Sequence, residues 1–60
     1  MENKDFEIVD TMKRFGGSFV KSLADACFKA DAENLERIKK AFPEIWERYQ
    51  EMTNLVKGQK

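Results

Sequence analysis

Apolar residues recur through the first half of the chain at Ile8, Met12, Phe15, Phe19, Leu23, Ala26 and Ala30. The steps run 4, 3, 4 and again 4, 3, 4, a mean close to the period of a straight α-helix. A second row, Val9, Gly16, Val20 and Cys27, flanks the first. The apolar phase therefore passes through Gly16 and Gly17 unchanged, which predicts one continuous helix over about residues 5–30, with any kink at the glycine pair. Such a helix would be ~39 Å long at 1.5 Å per residue. Two glycines inside it cost roughly 2 kcal/mol relative to alanine. Burial of Phe15 and Phe19, at ~2 kcal/mol each, offsets that. In the competing arrangement a new helix starts at Gly17 or Ser18. Ser18 is a good N-cap, but Lys21 rather than Glu or Gln stands three positions later, so no capping box forms.

Two shorter helices follow. Asp31 can cap a helix over about 32–42, with Leu35, Ile38, Ala41 and Phe42 as its apolar side. Glu33–Arg37 and Glu36–Lys40 are spaced i,i+4 in the favourable order. Pro43 suits a first helical position and biases Phe42 out of the α region, so a bend and a last helix over about 43–57 are expected. Ile45, Trp46, Tyr49, Met52, Thr53 and Val56 share its apolar face, and Gly58 provides a stop. The expected fold is all-α, one domain over 1–60, with no strand alternation.

Sixty residues put the chain near the lower limit of independent folding, where disulfides, a metal, good helix packing or association are needed. The single cysteine rules out an internal disulfide, and the lack of histidine removes the usual zinc and acid/base sets. A helical bundle completed by self-association is the expectation. Phe6 and Phe28 fall off the main apolar stripe, which marks them as candidate contact residues in a homo-oligomer or against another protein. Glu44, Glu47 and Glu51 line the far side of the last helix, as a solvated face or a docking strip for a basic partner.

Net charge is zero, from 11 basic and 11 acidic side chains, which disfavours a dedicated nucleic-acid binder. The alternative is a dimeric helix-turn-helix-like regulator with Arg37, Lys39 and Lys40 as the DNA contacts, although Glu33 and Glu36 interleave with them. "RFGGS" lacks the phosphate-loop pattern. Cys27 reads as a buried small apolar side chain. No catalytic, cofactor-binding or metal-ligating set is expected, and the chain is read as a non-enzyme. The polar, acidic start is unlike a secretory signal, and no apolar run reaches the ~20 residues of a membrane span. A cytoplasmic setting is expected.

Residues about 16–52 resemble small helical proteins encoded by phages and mobile elements of gut Bacteroides-type bacteria. The similarity rests on Phe19, Val20, Lys21 and Leu23, on Ala30 and Asp31, and on Ala41, Phe42, Pro43, Glu44, Trp46 and Tyr49. It implies a phage or mobile-element context and no assigned activity. Taken with the surplus of aromatic residues, it points to a regulator or inhibitor that binds a host protein, a host defence component included.

Overall fold

A computed structural model describes residues 1–58. Four helices follow one another: α1 (Asn3–Phe15), α2 (Ser18–Lys29), α3 (Ala32–Ala41) and α4 (Pro43–Gly58). No strand occurs among the described residues. The all-α class stands, but the single helix expected over 5–30 is two helices. Its ~39 Å would also exceed the longest dimension of the chain, 34 Å.

The break lies at the glycine pair. Gly16 (φ −76°, ψ 161°) and Gly17 (φ −75°, ψ −172°) are both extended. Neither has a positive φ, so left-handed backbone is not the reason for glycine here. Space is the reason at Gly16, which is buried. A Cβ on it would stand 2.5 Å from Val20 Cγ1 and 2.6 Å from the Met12 carbonyl oxygen. The Gly16 N–H caps that same carbonyl at 2.9 Å and closes α1. Gly17 meets nothing within 4 Å. Ser18 contributes no cap, since the N-cap of α2 is Gly17.

Beyond the break the chain reverses. Phe28, late in α2, lies against Phe6, early in α1, and Lys13 pairs with Asp25 at 2.7 Å. The reversal also rotates the buried face of α2. Ala24 and Cys27 are buried and Val20 is half-buried, whereas Phe19 and Ala26 of the expected stripe are exposed. The inward row has moved by one residue, or 100° of helix. The sequence phase is continuous across the glycines, and the packing phase is not.

The core consists of Ile8, Val9, Met12, Ala24, Cys27, Leu35 and Tyr49. Val20, Leu23, Ile38, Ile45, Trp46 and Met52 pack against it. Helix α4 returns along α1 and is tied to it by two buried threonines. Thr53 Oγ1 lies 2.7 Å from both Thr11 Oγ1 and the Tyr49 carbonyl, and Thr11 Oγ1 donates to the Glu7 carbonyl at 2.9 Å. Each hydroxyl thus turns a polar edge into an interhelical contact with no orphaned donor.

The second half of the chain follows its local signals closely. Asp31 accepts from the Asn34 N–H at 2.8 Å and caps α3. Phe42 (φ −130°, ψ 60°) leaves the α region before Pro43, the first residue of α4. Arg37 and Glu33 pair at 3.3 Å. Glu36 pairs with Lys39 at 3.2 Å rather than with Lys40, because Lys39 is the side chain turned toward α1.

Candidate interaction surface

All five phenylalanines are exposed. Phe6 is 50%, Phe15 59%, Phe19 57%, Phe28 39% and Phe42 36% accessible. Phe15 and Phe19 were expected in the core. They flank the turn at Gly16–Gly17: Phe15 shares the Met12 row but is the last residue of α1, and Phe19 lies off the inward face of α2. Val56, also expected on an inward face, is exposed. The core is closed instead by aliphatic and small side chains, with buried Tyr49 and half-buried Trp46 from α4.

Four of the rings form two surface pairs. Phe6 and Phe28 stand 5.6 Å apart between centroids at 57°, joining α1 to α2. Phe19 and Phe42 stand 5.7 Å apart at 66°, joining the start of α2 to the end of α3. Tilted and edge-on geometries suit the ring quadrupoles, yet each pair leaves much of its apolar surface to solvent. Phe6 and Phe28 therefore lie together. The Phe19–Phe42 pair was not anticipated. Phe42 sits outside both flanking helices, so its place on a helical wheel carries no information, and Phe19 lies past the break at Gly16–Gly17, where the inward row is reset.

An open groove of about 560 Å³ runs between α2 and α3 toward Phe42. Ala26, Ala30, Ile38 and Ala41 line it, and Lys29, Asn34 and Arg37 complete its wall. No acidic residue takes part. On α4, Glu44, Glu47 and Glu51 are all exposed, and none makes an ion pair with a described residue. They lie on one side of the helix with exposed Arg48 and with Leu55, which is 67% accessible.

The three basic candidates on α3 diverge. Arg37 projects to solvent with its Glu33 partner, and Lys40 is exposed. Lys39 is held in place: its Nζ donates to Asp5 at 3.0 Å and Glu36 at 3.2 Å, and lies 5.0 Å from the Trp46 ring centroid. Asp5 and Lys39 are only 17% and 23% accessible, so this bridge locks α3 onto α1. Partial burial of the ammonium pulls its pKa down, but the hydrogen bonds and charges of Asp5 and Glu36 outweigh this and hold it above the ordinary lysine value.

A raised folded pKa means that the stabilisation is complete below the unfolded value, ~10.4, and is lost as pH rises through the folded one. Wild type should therefore be more stable than a Lys39→Met variant by a constant margin from neutral pH to mildly alkaline pH. The margin should shrink in more alkaline solution. Urea midpoints measured across that range read it, and an unchanged margin into strong alkali would show that the charge contributes nothing.

Cys27 is buried, and loss of solvent pushes its thiol above the ordinary value despite the nearby Lys39 charge. That is the opposite of what a nucleophilic cysteine requires. Among the described residues no cluster of three metal-ligating side chains occurs, and no helix is long and apolar enough to cross a membrane.

No protein family, curated protein or solved structure matches the chain.

Proposed function

We propose that this chain is a small non-enzymatic interaction module that works by binding another protein through its exposed aromatic surface. One observation carries the proposal: every phenylalanine of a 60-residue chain stays substantially accessible while a complete small core forms without them. Exposed apolar rings gathered in pairs mark contact sites, where aromatic residues are enriched. The resemblance of residues 16–52 to phage and mobile-element proteins suggests the setting, in which the partner is a cytoplasmic host protein and the outcome is regulation or inhibition.

A photo-crosslinking phenylalanine analogue placed at Phe19 or Phe28 in bacterial cells tests this. Each position should give a discrete heavier adduct that is absent at exposed Lys4. Replacing the ring partner by serine, Phe42 for the first and Phe6 for the second, should abolish it. Indistinguishable patterns at Phe19, Phe28 and Lys4 would overturn the proposal.

Duplex DNA binding through α3 is the alternative, favoured by the exposure of Arg37 and Lys40 on the second helix of a tight helical pair. Its weakness is Lys39, whose ammonium is already engaged by two carboxylates. Sequence-selective affinity that falls steeply with added salt would replace the protein-binding proposal with this one.

A further inference from the structure

We infer that the α2–α3 groove receives the Glu51–Leu55 edge of α4 from a second copy of this chain. The inference rests on the protein-binding function proposed above and assigns one partner to one surface.

The groove has an apolar floor and basic rims. Its floor is small and aliphatic, and among the described residues its charged lining is Lys29 and Arg37. It therefore fits a projecting apolar side chain with a carboxylate about one turn away. Helix α4 presents that combination. Leu55 is the most accessible large apolar side chain described, and Glu51 lies four residues before it on the same side. Seated over Ile38 and Ala41, Leu55 would leave Glu51 within a helical turn of the rim. Arg37 is available for exchange. Its pair with Glu33 is 72% and 77% accessible, and ion pairs that exposed contribute little.

The dimensions agree. The groove follows α3 from Asn34 to Ala41, seven residues or about 10 Å, and the Glu51–Leu55 edge spans four residues or about 6 Å, so it fits within the groove. A two-fold axis would let each copy fill the groove of the other and close the assembly at two.

Sedimentation equilibrium from about 10 μM to about 1 mM, where a modest interface becomes populated, reads the outcome directly. Wild type should move from the 7.0 kDa monomer toward twice that mass, less readily as salt screens the rim charges. Glu51→Lys and Arg37→Glu should each weaken association at least about tenfold, and the double exchange should restore it to within about threefold. Leu55→Asp should abolish it. All three side chains are exposed, and circular dichroism verifies that each variant keeps its helices. A wild type that stays monomeric over the whole range overturns the inference, as does a dimer indifferent to these substitutions. Either result leaves the aromatic-surface proposal standing, because crosslinking at Phe28, which pairs with Phe6 and does not line the groove, reads that one independently.

Discussion

Gly16→Ala should destabilise the protein by about 2–3 kcal/mol, the scale of forcing an extra methyl into filled space. The added Cβ would lie 2.5 Å and 2.7 Å from the Val20 side chain and 2.6 Å from the Met12 carbonyl oxygen. Val20 cannot withdraw freely because it packs against the core, and the carbonyl is fixed as acceptor of the bond that ends α1. In a chain of this size the loss corresponds to a Tm lower by roughly 10–20 °C. Gly17→Ala should have the opposite sign. Its φ of −75° suits alanine, nothing lies within 4 Å, and a stiffer unfolded chain contributes about 0.4–1 kcal/mol. The pair of signs separates two architectures. In one unbroken helix both substitutions would stabilise, by about 1 kcal/mol each. Denaturant unfolding of the two variants decides the matter, and stabilisation by both would refute the break.

How much of this fold can be read from the residues depends on where a signal is local. The Asp31 cap, the Phe42–Pro43 bend and the start of α4 each rest on chemistry within a few residues, and each appears where the sequence places it. The same holds for Ile8, Met12, Leu35 and Tyr49, whose apolar rows face the core. The glycine junction is different. Periodicity alone cannot tell a single helix from two helices that happen to share a phase, because the rotation of α2 is set by what it packs against. Val20 fits beside Gly16, and that contact turns Cys27 and Ala24 inward and Phe19 outward. The surface followed the same division. Phe6 and Phe28 stand out from the pattern because they lie off the stripe, whereas Phe15 and Phe19 were hidden within it. The role of Lys39 was not legible either. Its partner Asp5 is 34 residues away in the chain, and no local spacing announces such a pair. Only the folded contact separates it from Arg37 and Lys40.

Met12→Ala should cost about 2–5 kcal/mol, and Phe15→Ala less than about 1 kcal/mol, though the two residues are neighbours on the same apolar row. Met12, at 0% accessibility, sits in the last turn of α1, inside the core formed with α2, α3 and α4. Truncation there removes a filled volume that three helices share and leaves a cavity that can close only if they shift. Domains hold about 0.05–0.15 kcal/mol per residue, or about 3–9 kcal/mol for sixty residues, so the loss takes a large share of the stability available. Phe15 is the larger side chain, but at 59% accessibility it has little burial to lose in the isolated chain. The comparison therefore reports on association as well as on packing. Measured in dilute solution, Phe15→Ala should be nearly neutral. Were its cost to match that of Met12→Ala and to grow with protein concentration, the ring would be buried against another copy. A large cost independent of concentration would instead place Phe15 inside the monomer core, against the arrangement described here.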